Sequence, residues 1–277
     1  RRHLVRRGMH WWQGRFFKPD RAGCGVDHYH IDILRHVTGA VPRGDGRPLL
    51  LLPGLLCDAR LWRDCLPAGG APRIADLTRD DSVASMARRA LELVAGEARF
   101  AGAGLSMGGS VALEIWPLAR RRLPHRARLD TSARADTPEQ TQRRLDLIAL
   151  SGRGAFKGVT PRLLPLLLHP SRLGGPLAAE VMAMAERVGV EGFLRQQRAI
   201  MSRPDSRADL PGISVPSLVA CGAEDALTPP PLHDEMAAMI PGARRLSFEG
   251  CGHLPTMEAP DAVRSALEAW LNPPRSA

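Results

Sequence analysis

The rhythm of apolar and polar positions changes sharply near residue 48. In residues 1–47, Gly and Asp interrupt each apolar run, and Trp11, Trp12, Phe16 and Phe17 crowd between arginines. Only YHIDILRHV alternates there, with Tyr29, Ile31 and Ile33 set against His30 and Asp32, which predicts one short strand. The rest of this segment reads as an atypical, poorly ordered N-terminal extension. PLLLLPG then gives a short apolar run ended by Pro-Gly, the pattern of a buried strand. PRIADLT predicts a weaker strand. DSVASMARRALELVAG places Val83, Met86, Ala87, Ala90, Leu91 and Val94 on one helical face. Asp81 or Ser82 can cap its start, and Gly96 can end it. ARFAGAGL predicts another strand and MGGSVALEIW another helix. Strand and helix alternate, which is the signature of a parallel α/β sheet.

The alternation stops at residue 137. Over 137–203 the pattern predicts several helices and no strand. TPEQTQRRLDLIAL starts with Thr-Pro and carries Glu139 four residues before Arg143. TPRLLPLLLHP is apolar but broken by prolines, and PLAAEVMAMAERVG and VEGFLRQQRAIMS are both amphipathic. Alternation resumes with the strand VPSLVACG, a helix over 232–240, the strand ARRLSFEG and a final helix PDAVRSALEAWL. The layout is an α/β core over 48–136 and 204–277, interrupted by a helical insertion at 137–203.

Composition changes this picture little. At 44% hydrophobic the chain can build a sizeable core. It has no apolar run long enough to predict a membrane span, and no apolar stretch of signal-peptide type follows the basic N-terminus. The net charge of +9 raises the question of nucleic acid. The excess is local: residues 1–47 carry +6 and residues 120–128 carry +5, so no basic stripe runs along the fold and no nucleic-acid partner is expected. The five cysteines are odd in number, scattered and free of CxxC spacing. That fits a reducing, cytoplasmic setting. Cys251 and His253 lack a second ligand pair at matching spacing, so no metal is expected.

The chemistry is carried by three residues in order. Gly104-Leu105-Ser106-Met107-Gly108 fits G-x-S-x-G between a predicted strand and a predicted helix. A strand turning abruptly into a helix strains the turning residue, and small neighbours keep its flanks from clashing. By itself the pentapeptide is moderately specific, the alternative being a serine that caps the helix. A hydroxyl nucleophile needs a base, and EGCGHLPTMEAP places His253 in a Gly-rich loop after a strand. The base needs an acid to hold its tautomer. CGAEDALTPP offers Glu224 and Asp225, of which Asp225 is chosen. Ser106, Asp225 and His253 thus each follow a predicted strand, in the order expected when a serine triad is built on such a sheet. An oxyanion hole would use the backbone N–H groups of Met107 and, from the loop after the first buried strand, Leu55.

With these residues the chain resembles the α/β-hydrolase superfamily, in particular small bacterial carboxylesterase-like members with a helical lid. LLLPGLLCDARLW, GLSMGGSVALEI, LDTSARADTPEQT, CGAEDALTPP and GCGHLPTMEAP carry the resemblance, over residues 48–115 and 130–272. It implies the α/β-hydrolase fold, a mostly parallel central sheet flanked by helices, with 137–203 as the lid. It implies Ser106 as nucleophile, Asp225 as acid, His253 as base, and Leu55 and Met107 as oxyanion donors. The expected activity is cleavage of small carboxylic esters through an acyl-enzyme, without a cofactor. Carbon–carbon bond hydrolysis, lactone opening and a menaquinone-pathway lyase step are alternatives on the same scaffold, as is a catalytically silent protein that binds a small ligand. Two departures stand out. Pro53-Gly54 stands where many members have His-Gly. Residues 116–129, WPLARRRLPHRARL, have the length but not the apolar character of the buried strand implied before Leu129-Asp130-Thr131. Pro117 falls inside the preceding helix, and arginines on a central strand are costly unless neutralised or exposed.

Overall fold

The computed structural model describes residues 46–273, so the expected strand over 29–37 and nearly all of the N-terminal extension lie outside the described residues. Six strands form one parallel sheet: β1 (Pro48–Leu52), β2 (Ala71–Ile74), β3 (Ala101–Leu105), β4 (His125–Leu129), β5 (Ser217–Gly222) and β6 (Arg244–Phe248). Their order across the sheet is β2-β1-β3-β4-β5-β6. The four inner strands are buried at every residue, whereas β2 and β6 at the edges are partly exposed. That burial explains why PLLLL reads as a continuous apolar run: both of its faces are covered.

Side chains alternate across the sheet and divide the core in two. Leu49, Leu51, Ala103, Leu105, Ala127, Leu129 and Ala220 share one face with Leu267 and Trp270 of the last long helix, Pro260–Leu271. Leu50, Leu52 and Val219 face the opposite layer, built by α1 (Val83–Glu92), α2 (Met107–Ala119) and the helix Pro230–Met239. Helix α1 matches its predicted stripe: Val83, Met86, Ala87 and Ala90 are buried, and Ser82 caps the start by accepting the N–H of Ser85 at 3.2 Å.

Helices alone fill the connection from β4 to β5. Helix α3 (Pro138–Leu150) begins at a capping box, in which Thr137 and Gln140 each accept the other's backbone N–H. Prolines then restrict the chain to short 3-10 turns at Leu164–Leu166 and Pro170–Arg172. Helix α4 (Pro176–Met201) follows, broken at Gly189, where φ is +70°. The two amphipathic stretches expected here are therefore the two limbs of one bent helix, with glycine at a left-handed bend other residues rarely adopt. The remaining helices are α5 (Pro230–Met239), the short α6 (Pro255–Glu258) and α7 (Pro260–Leu271).

The segment with unsuitable chemistry is nonetheless central. Helix α2 runs through Pro117 to Ala119, and HRARL forms β4 between β3 and β5. Its backbone completes ladders that would otherwise leave two unpaired strand edges inside the molecule. His125, Ala127 and Leu129 take one face, while Arg126 and Arg128 point into the opposite core. Arg126 stacks over the Trp116 ring at 4.6 Å and donates to the Ala112 carbonyl at 3.0 Å. Arg128 is fully buried, and none of its three guanidinium nitrogens has a hydrogen-bond partner. Burial pushes the Arg128 guanidinium down to about 10, and burial together with the neighbouring Arg128 charge also lowers Arg126.

Candidate active site

The sheet order reverses at β1: its next neighbour in sequence, β2, lies on one side and β3 on the other. In open parallel sheets the crevice at the carboxyl ends of two such strands is where ligands bind. Residues 53–57 leave β1 there, and Ser106 leaves β3.

Ser106 has φ +55° and ψ −118°, a strained conformation for a residue with a Cβ. The flanking glycines show why the chain accepts it. A Cβ on Gly104 would lie 2.2 Å from the Gly108 carbonyl oxygen, and one on Gly108 would lie 2.0 Å from that of Leu52. The G-x-S-x-G spacing thus lets strand, turn and helix pass at backbone contact. The turn is tied down on both sides: the Ser106 N–H donates to the Leu129 carbonyl at 3.0 Å, and the Ser106 carbonyl accepts the Thr131 hydroxyl at 2.7 Å. Met107 opens α2, so its N–H has no partner within the helix.

Asp225 follows β5 and His253 follows β6. His253 Nδ1 lies 2.9 Å from both oxygens of Asp225, and both residues are buried. Asp225 also accepts the N–H groups of Leu227 and Thr228, at 2.8 and 3.0 Å, and the Thr228 hydroxyl at 2.7 Å. Burial alone would raise the Asp225 carboxyl. The His253 charge and hydrogen bond, with those from Thr228, outweigh it and hold Asp225 at about 2. The His253 N–H is fixed by the Leu167 carbonyl at 2.9 Å, a contact from the insertion to the loop after β6.

Several residues that brace this arrangement were not singled out from the sequence. Glu258 accepts the Gly252 N–H at 2.8 Å and the His169 N–H at 2.7 Å, pinning the histidine loop. Gln196 of α4 accepts the Leu56 N–H at 2.9 Å, which fixes the loop beside Leu55. Asp130, directly after β4, accepts the Gly222 N–H at 2.8 Å while its second oxygen has no partner. Burial and then the Asp225 charge raise the Asp130 carboxyl well above its ordinary range. No short motif marks these contacts, because each joins residues distant in the chain or backbone groups that carry no sequence signal. Asp130, Asp225 and His253 each offer a ligating atom within 4.8 Å of the others. They fit a metal poorly, because Asp225 and His253 already close on each other at hydrogen-bond distance.

Ser106, Met107, Leu55 and His253 line one cavity of about 880 Å³, roofed by the insertion through residues such as Leu147, Phe156, Met184 and Phe193. That is the size and apolar character of a small-molecule site.

A model of the alpha/beta hydrolase family matches residues 12–266. The chain belongs to that family. This hydrolase is 26% identical to the pimeloyl-[acyl-carrier protein] methyl ester esterase of Nitrosomonas europaea, over 82% of this chain and 96% of that protein. Among solved structures it resembles a thermophilic esterase from Thermogutta terrifontis, with a TM-score of 0.73 and 28% identity, covering 82% of this chain and 90% of that one. An enol-lactonase from Burkholderia xenovorans shares the fold at a TM-score of 0.70 and 22% identity, covering 83% and 93%. The expected fold and the esterase-like hydrolase class are thereby met. Among the described residues no helix is long and apolar enough to cross a membrane.

Proposed function

We propose that this hydrolase is a serine carboxylesterase acting on small carboxylic esters through Ser106, His253 and Asp225. The observation that carries the reading is the strained Ser106 turn facing the same cavity as a histidine whose far nitrogen is held by a buried, ionised aspartate. Asp225 accepts from Nδ1–H and so leaves Nε2 as the proton acceptor. His253 Nε2 takes the Ser106 hydroxyl proton as Oγ adds to the ester carbonyl. The resulting oxyanion is met by the N–H groups of Met107 and Leu55. The intermediate collapses with loss of the alcohol, protonated by His253, to an ester on Ser106. Water, deprotonated by His253, then adds to that ester. The acid leaves, and the proton returns to Ser106.

Residues 137–203 act as a lid over the apolar cavity, between core segments 48–136 and 204–277. The four cysteines among the described residues are buried and unbridged, which supports a reducing, cytoplasmic setting. Turnover of 4-nitrophenyl butyrate tests the reading. The wild type is expected to hydrolyse it, and Ser106→Ala, with an unchanged circular dichroism spectrum, to lose at least about a thousandfold in kcat. Equal activity in the variant would remove Ser106 from the chemistry.

A further inference from the structure

The cavity wall is mainly apolar, and its arginine and lysine groups give it charge of a single sign. Arg143, Arg144, Lys157, Arg162 and Arg203 line it, and among the described residues no aspartate or glutamate does. One carboxylate behind the wall answers two of these cations. Asp136, whose side chain is nearly fully buried, pairs with Arg144 at 2.6 Å and Arg203 at 2.7 Å. Arg143 lies one turn after Glu139 on α3 and donates to the Glu139 carbonyl at 3.4 Å. Lys157 and Arg162 are exposed, and neither has a carboxylate partner among the described residues. All five belong to the insertion or its border, away from the strand ends that carry Ser106 and His253. The cavity is therefore mainly apolar, with its cations all on the insertion and none on the loops that carry Ser106 and His253. A cleft lined by one sign of charge with low-dielectric walls focuses its field on the ligand.

We propose that the preferred substrate is an ester whose apolar acyl chain ends in an anionic group, a carboxylate or a phosphate, held by Lys157 and Arg162 while the ester carbonyl lies at Ser106. This rests on the serine-esterase reading above and adds a substrate class to it. The bond chemistry is unchanged: water enters, and alcohol and acid leave.

The test compares 4-nitrophenyl esters of one saturated acyl chain ending in methyl, carboxylate or phosphate, assayed at low and high salt. At least one anionic ester is expected to exceed the methyl-ended ester in kcat/KM by about tenfold or more at low salt, and that ratio to fall with added salt. Whichever anionic ester shows the preference identifies the group. In the double variant Lys157→Gln with Arg162→Gln the ratio is expected to drop at least about threefold. Arg99→Gln, at an exposed cation outside the cavity, is expected to leave the ratio in place. A smaller preference, or one indifferent to salt or to the double variant, overturns the proposal. Failure of the esterase reading is a separate result: no ester is turned over, or Ser106→Ala retains the activity.

Discussion

Replacing Arg128 by Met is expected to stabilise the protein. Arg128 sits in the middle of β4 with no exposed surface, and its guanidinium finds no hydrogen-bond partner. Burial draws it from the ordinary guanidinium value down to about 10. That change corresponds to ~3 kcal/mol of lost stabilisation of the charged form at neutral pH. Methionine fills most of the same volume with atoms that require no hydrogen bond, and adaptable packing limits any void. Replacing buried ionic groups by apolar ones of similar size commonly stabilises by 1–4 kcal/mol, about the same range. The folded state releases the Arg128 proton more readily than the unfolded chain. Wild-type stability should therefore rise as pH passes upward through about 10, and this rise should vanish in Arg128→Met. Urea unfolding followed by circular dichroism should show the midpoint of the variant raised by roughly 1 M or more, for a slope of 1–3 kcal/mol/M. Arg126→Met should gain less, because Arg126 already stacks on Trp116 and donates to the Ala112 carbonyl. An unchanged or lowered midpoint for Arg128→Met would refute the reasoning, since it would require the buried guanidinium to be satisfied.

Asp225→Asn should retain the fold but lose about a thousandfold or more in kcat on a 4-nitrophenyl ester, because an amide can hold the wrong tautomer of His253. Asp225 is held at about 2 against 3.8 in the unfolded chain, so it contributes roughly 2 kcal/mol above pH 4 that is lost as pH falls through about 2; acid titrations of wild type and variant should differ by that amount. Gly108→Ala should lower the melting temperature by several degrees and cut activity, since its Cβ would lie 2.0 Å from the Leu52 carbonyl oxygen; a neutral result in thermal melts and ester turnover would contradict the close approach. Asp130→Asn should keep near-wild-type ester turnover, because its amide oxygen can still accept the Gly222 N–H, whereas Asp130→Ala should destabilise by leaving that N–H unpaired. The Asp130 carboxyl is raised in the folded state, so its contribution is present at low pH and lost as pH rises past the ordinary carboxylate value of 3.8; an upward titration from about pH 4 of Asp130→Asn should lack that loss.

Much of this fold can be read along the chain because its signals are local. Leu49–Leu52 is apolar without interruption since both faces of an inner strand are covered. The stripe of α1 and the Thr137–Gln140 capping box are likewise short-range patterns. The Ser106 turn is legible for a similar reason: backbone contact forces glycine at 104 and 108, and glycine is visible in a sequence. By contrast, β4 reads poorly. HRARL has neither the apolar run of an inner strand nor any local preference that would select it. It is a strand because β3 and β5 leave a place between them that only this segment spans, and ladder hydrogen bonds there outweigh side-chain preference. The raised Asp130 carboxyl, the bond from the His169 N–H to Glu258 and the single sign of charge on the cavity wall also join residues far apart in the chain. By itself the sequence determined the alternation of strands and helices, the tight turn at Ser106 and the order of its expected partners, all set by neighbours a few residues away. Only the tertiary structure decided which carboxyl is driven above its ordinary range, which arginine is left unpaired and where the cations gather, because burial and field depend on what the folded chain brings together through space.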